Sequence, residues 1–122
     1  MLQIKRIYEP PFTQDGVRVL VDRLWPRGIL KKDACLSDWL KDIAPSPGLR
    51  QWFGHQPERF DAFAERYREE LTAERQQAAL DKLGRMMKEG PVTLLYAARD
   101  PVHNHAIVLQ RVLQDRRGSK PE

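Results

Sequence analysis

Two short runs rich in valine and leucine, separated by a long stretch of helical character, constrain the fold of this chain more than any other feature. They are Val17-Arg18-Val19-Leu20-Val21 and Val92-Thr93-Leu94-Leu95-Tyr96-Ala97-Ala98. β-Branched and leucine runs of this length, bounded by turn residues, read as strands buried on both faces, the kind found in the middle of a parallel sheet. Each run ends in a polar cluster. Asp22-Arg23-Leu24-Trp25-Pro26-Arg27-Gly28 follows the first, and Arg99-Asp100-Pro101-Val102-His103-Asn104-His105 follows the second. In open α/β sheets, ligands bind just beyond the carboxyl ends of the strands. Both clusters fall where that rule puts a site.

At 122 residues the chain is sized for one domain. We expect a single α/β domain over residues 1–115 and a basic, flexible tail over 116–122. The composition, 41% hydrophobic and 31% charged, is that of a soluble globular protein. No apolar stretch approaches the roughly 18 residues of a membrane span. Met1 to Tyr8 lacks the apolar core of a signal peptide. The single cysteine, Cys35, excludes an internal disulfide and fits a reducing cytoplasm, which is the expected location. The formal charge of +4 is concentrated at Lys5-Arg6, at Lys31-Lys32 and in the tail. A basic balance raises the prospect of an anionic partner, either a phosphorylated small molecule or nucleic acid. No zinc-knuckle, RNA-recognition or winged-helix pattern accompanies the charge, so the small anion ranks first.

Leu2 to Ile7 reads as a further strand, more edge-like than central. Its connection to Val17 passes Pro10-Pro11 and Asp15-Gly16 and is too short for a usual crossover helix. A hairpin is therefore favoured over an abbreviated crossover. Leu36 to Ala44 suits either a helical face or a short third strand. Ser46 followed by Pro47 is a favourable helix entry, and Pro57 stands at the first position of the next helix. There Phe60, Phe63, Ala64, Tyr67 and Leu71 form an amphipathic stripe. Thr72 is placed to cap another helix carrying Leu80, Leu83 and Met87, which Gly90-Pro91 ends. A last helix is expected from Pro101, with Asp100 as its cap and Ala106, Leu109, Val112 and Leu113 facing inward. The natural packing of such elements is a small three-layer, Rossmann-like α/β unit with a short, mostly parallel sheet flanked by helices.

The candidate site follows from the strand ends. Arginine suits bidentate binding of phosphate or carboxylate, which singles out Arg23, Arg27, Arg50 and Arg99. Trp25 offers an aromatic wall, and Tyr96 a hydroxyl near its strand end. Alternation sends Asp22 and Arg23 to opposite faces. Ser46 and His55 flank the helix of Trp52-Phe53 and are further ligand-binding candidates. His103, Asn104 and His105, if helical, point about 100° apart and cannot all face one pocket. Asn104 is therefore read as ligand-binding, with Asp22 and His105 as the acid–base pair. The two histidines lack the i, i+4 spacing of a helical zinc site, so no metal is expected. No cofactor motif is present. Cys35 has no activating base beside it in sequence and is not read as a nucleophile. The rival to a ligand site is an interaction module whose polar residues only secure the strand tips.

The segments VDRLWPRG (21–28), DWLKDIAPSPGLRQWFGHQPERFDAFAERYREEL (38–71) and VTLLYAARDPVHNHAIVLQRVL (92–113) strongly resemble the bacterial family catalogued as domain of unknown function 488, and within it the small YeaO-like branch. The resemblance spans about residues 2–115 and implies a compact α/β fold of Rossmann-like appearance. The broader family shows an Asp-x-Arg-x-x-Pro stretch, approximated here by Asp22, Arg23 and Pro26. It also shows a Cys-Glu…Cys-His-Arg pattern, in whose place stand Tyr96, Arg99 and Asn104-His105. With the cysteines absent, the resemblance implies no thiol chemistry, and it brings no established reaction. A uroporphyrin methyltransferase label carried by some relatives does not suit a short chain without a glycine-rich cofactor loop.

Overall fold

The computed structural model describes residues 1–118. The two apolar runs lie side by side: β2 (Val17–Leu20) pairs in parallel with β4 (Val92–Tyr96), Val17 opposite Val92 and Leu20 opposite Leu95. The edge-like N-terminal run forms β1 (Leu2–Arg6) on the other side of β4, again parallel, with Leu2 opposite Val92. A two-residue β3 (Asp38–Trp39) completes a four-stranded parallel sheet of order β1-β4-β2-β3. All five residues of β4 are buried, as an unbroken apolar run in a central strand requires.

This order corrects the hairpin expectation. β4 is inserted between β1 and β2, so the segment 7–16 is the abbreviated crossover. It manages without a long helix because one buried carboxylate pins it. Asp15, in a single 3-10 turn (Thr13–Asp15), accepts from Lys5 Nζ at 3.1 Å and from Arg18 Nη1, joining both flanking strands. Its own carbonyl accepts from Thr93 Oγ1 of β4 at 2.8 Å. Gly16 then passes so close to the start of β4 that a Cβ would lie 2.3 Å from the Pro91 carbonyl oxygen, and its φ is +66°.

The two faces of the sheet are covered unequally. On one, the main core gathers Leu2, Val19, Val21, Val92 and Leu94 with the apolar stripes of α2 (Pro47–Phe53), α3 (Phe60–Glu70), α4 (Glu74–Glu89) and α5 (His105–Gly118). Burying each large side chain contributes about 1.5–3 kcal/mol. The other face holds a smaller cluster of Ile7, Leu20, Ala34 and Leu95, walled by Trp25, Ile29, Leu36 and Trp39. Among the described residues its only helix is the one-turn α1 (Lys31–Ala34). The chain is thus a small parallel α/β fold with one thick and one thin outer layer.

Several local expectations shift. The segment 36–44 resolves into β3 followed by a 3-10 turn (Lys41–Ile43). Pro57 opens a 3-10 turn, and α3 proper begins at Phe60. Thr72 does not cap α4; its hydroxyl donates to the Glu69 carbonyl at 2.7 Å and closes α3 instead. The last helix starts at His105, not Pro101, because the side chain that accepts from a free first-turn amide is Asn104, whose Oδ1 takes the Ile107 N–H at 3.0 Å. At the far end α5 continues through Gly118, with Arg116 bonded to Asp81, so the start of the expected tail is helical; residues 119–122 lie outside the described residues. Among the described residues no helix is long and apolar enough to cross a membrane.

Candidate functional site

The parallel order brings the carboxyl ends of β2 and β4 together, and with them the two polar clusters. Past the end of β2 the chain leaves the strand, which removes the alternation that would send Asp22 and Arg23 to opposite faces. Both line one cleft of about 230 Å3, together with Leu24, Ala44, Pro45, Arg50, His55, Ala97, Ala98 and His105. A smaller chamber of about 70 Å3 adjoins it through Pro45, Arg50, His55, Ala98 and His105. Phe53, Phe63, His103 and Asn104 complete its lining.

Asp22 is the hinge between the two strand ends. Its Oδ2 accepts the Ala97 amide at 3.1 Å, and its carbonyl accepts the Trp39 indole N–H at 2.6 Å. His105 Nε2 lies 3.0 Å from the Val21 carbonyl oxygen and 3.2 Å from Asp22 Oδ1. A backbone carbonyl only accepts, so Nε2 carries a proton. Beside this pair, Arg23 directs Nη2 at the Ala44 and Pro45 carbonyls, at 3.2 and 3.4 Å. Two buried atoms here have no hydrogen-bond partner among the described residues: Arg23 Nε and Asp22 Oδ1. An unmade bond at a buried donor or acceptor costs about 1–3 kcal/mol, which groups kept only for structure do not normally carry.

The opposite wall comes from α2 and the turn after it. Gly54 and His55 both adopt left-handed conformations, with φ of 54° and 58°. For histidine this costs on the order of 1 kcal/mol, and it sets His55 in the lining that His105 shares. Arg50, one turn earlier on α2, lines both chambers.

The third wall is the loop ahead of α5. Asp100 accepts the amides of Val102 and His103, at 2.9 and 3.0 Å, and its Oδ2 lies 2.9 Å from His103 Nδ1. The two amides and the imidazole hold its carboxyl down at about 2. Asp100 therefore shapes this turn and does not cap α5. Because His103 and Asn104 precede the helix, the 100° rule does not separate them from His105, and all three reach the smaller chamber.

Of the residues singled out from the sequence, Asp22, Arg23, Arg50, His55, Asn104 and His105 line the cavity. The others do not. Ser46 caps α2 by accepting from the Leu49 amide, and its hydroxyl and amide donate to Glu70, at 2.5 and 2.8 Å. Trp25 packs edge-on to Trp39 in the thin layer and donates its indole N–H to the Ile29 carbonyl. Tyr96 is buried in the main core, and burial pushes its hydroxyl pKa up. Arg27 and Arg99 are exposed and outside the lining; the Arg27 carbonyl accepts from the Tyr8 hydroxyl. His103 was passed over in the sequence, although an aspartate three residues ahead of it is the signature of the turn that places it. Arg6 was also passed over: it donates to the Ala97 and Ala98 carbonyls at 3.2 and 2.9 Å and fixes the floor of the cleft. Among the described residues no three His, Cys, Asp or Glu side chains form a metal-binding group.

Comparison with known proteins identifies the family. A family profile described as "Inactive DUF488-N3 subclade" matches residues 1–121. The chain belongs to the DUF488 family. An uncharacterised protein of Mycobacterium tuberculosis H37Rv is 47% identical over 115 residues, covering 94% of this chain and 95% of its own. The uncharacterised protein YeaO of Escherichia coli K12 is 44% identical over 108 residues, covering 88% and 92%. No solved structure matches the DUF488 chain.

Proposed function

We propose that this DUF488 protein binds a small anionic metabolite, a phosphorylated one, in the cleft at the carboxyl ends of β2 and β4. The observation that carries the reading is the cationic convergence there. Arg23 and Arg50 share one cavity with His55 and His105, and Arg23 keeps a buried Nε donor without a partner. Phosphate and carboxylate oxygens are acceptors that such donors bind well. The position, at the rim of a parallel sheet, is where Rossmann-like proteins take their ligands. The word "inactive" in the family description favours binding over turnover. A single cysteine fits a reducing cytoplasm, where phosphorylated metabolites are found.

A thermal-shift screen of phosphorylated and carboxylated metabolites tests the reading. A bound ligand at a hundred times its Kd stabilises the fold by about 2.7 kcal/mol, a shift on the order of 10 °C. The shift is lost in Arg50→Ala and kept in Arg99→Ala. Absence of any shift across the anions, in the wild type, would sink the proposal.

A second reading is acid–base catalysis by Asp22 and His105. It is favoured by their 3.2 Å approach and by a ring held with its proton on Nε2. Turnover of a bound phosphoester that disappears in His105→Ala, with affinity retained, would establish it.

A further inference from the structure

The cleft is chemically divided, and the division selects among phosphorylated ligands. We infer that its occupant is a phosphorylated polyol, of the sugar-phosphate class, and not a nucleotide; this rests on the anion-binding reading. The larger chamber has no phenyl, phenol or indole ring in its lining. Among the described residues its only aromatic rings are the imidazoles of His55 and His105, and the second donates by Nε2 to the Val21 carbonyl. A nucleobase gains its affinity by stacking on aromatic faces, about 1–3 kcal/mol per base, and the larger chamber offers it no ring larger than an imidazole. Phe53 and Phe63 reach only the smaller chamber. At about 70 Å3, it is under half the roughly 150 Å3 of a cavity that holds benzene. Together the chambers sit at the lower end of the range of ligand sites, about 300 Å3 upward.

What the lining does offer is unsatisfied polar groups of both signs. Asp22 Oδ1 accepts no hydrogen bond, although His105 Nε2 lies 3.2 Å away and donates to Val21, and Arg23 Nε makes none among the described residues. Hydroxyls are donors and acceptors at once, so adjacent hydroxyls satisfy carboxylate, imidazole and guanidinium together. Phosphate alone has no proton to spare for Asp22 when fully ionised and would be repelled by its carboxylate. In this arrangement Arg50 holds the phosphate, and Asp22 with His105 reads the hydroxyls.

Isothermal titration of the full chain with inorganic phosphate, glycerol 3-phosphate, ribose 5-phosphate, glucose 6-phosphate and adenosine 5′-monophosphate decides it. The expected result is that at least one of the three polyol phosphates binds tenfold or more tighter than inorganic phosphate, and that the nucleotide binds no tighter than ribose 5-phosphate. Asp22→Asn should cut the polyol advantage about tenfold without weakening inorganic phosphate, whereas Arg50→Ala weakens every probe. A nucleotide tenfold tighter than ribose 5-phosphate overturns the inference and leaves the anion site standing, as does inorganic phosphate within tenfold of the best polyol phosphate. Binding of no probe overturns both readings.

Discussion

Asp15 shows how much one side chain carries in this fold. Its carboxylate is buried between Lys5 and Arg18, takes the Phe12 amide at 3.0 Å and receives Gln3 Nε2 at 3.3 Å. Burial alone would raise its pKa; the bonds from Phe12, Lys5 and Arg18 outweigh that and hold the group below its ordinary 3.8. A carboxyl whose folded pKa is depressed adds stability above its unfolded pKa and loses it as the pH falls through the folded value. Asp15 therefore supports the fold at neutral pH, and that support fades as acidification passes below about 4 toward its lowered folded value. Asp15→Asn leaves two buried cations under-compensated and should cost about 3–5 kcal/mol in urea unfolding at pH 7. The same variant should lose less stability than wild type between pH 4 and 2. An unfolding midpoint within about 0.5 kcal/mol of wild type would show that the pair is not what holds the crossover. A lone aspartate between a proline pair and a glycine reads in the sequence as an ordinary turn residue, because its partners are Lys5 on one strand and Arg18 on another.

At the scale of elements, what was legible was whatever depends on neighbours along the chain. The stripe Phe60, Phe63, Ala64, Tyr67 and Leu71 lies buried as its spacing requires, and Ser46 caps α2. The central strands were legible because their burial is written as an unbroken apolar run. The crossover was not, since its course is set by contacts with β4 about eighty residues later, such as the bond from Thr93 Oγ1 to the Asp15 carbonyl. The start of α5 was misplaced for a different reason. Asp100-Pro101 and Asn104 are both acceptable caps, and only the loop geometry at His103 decides between them. Six of the eleven candidate residues line the cleft; Trp25, Arg27, Tyr96 and Arg99 do not, because nearness in sequence to a strand end says nothing of direction, and Ser46 is engaged by the Leu49 amide and Glu70. The crossover also makes a sharp test of its own. With φ at +66° and the Pro91 carbonyl oxygen 2.3 Å from any added Cβ, Gly16→Ala strains the backbone and forces β2 away from β4. The Val17 amide, which donates to that same carbonyl at 3.0 Å, would be pulled with it. We expect a loss of at least about 2 kcal/mol, measured by chemical denaturation, whereas Gly48→Ala, with open space around its Cβ, should cost far less. Equal effects would mean that the close approach of crossover and strand is not a constraint.

For the whole molecule, the decisive fact is that the central strand comes near the end of the chain. β1 and β2 do not touch as a pair; each is hydrogen-bonded to β4, and β3 reaches the sheet only through β2. The site inherits this dependence, since Asp22 is tied to the Ala97 amide and to His105, both beyond β4. Folding must therefore close a loop of most of the chain before any central pairing forms, which makes the transition slow and nearly all-or-none. A fragment ending at Gly90 keeps α1 to α4, yet it lacks the strand through which the sheet is joined. It should show helical circular dichroism without dispersed amide resonances and without a cooperative thermal transition. Adding residues 91–122 as a separate peptide should restore both, together with the ligand cleft, because the missing strand and α5 enter as one unit packed on the main core. A fragment of residues 1–90 that melts cooperatively by itself would mean that α2, α3 and α4 form a core independent of the sheet. The cleft would then rest on a docking of two stable parts instead of on one cooperative fold.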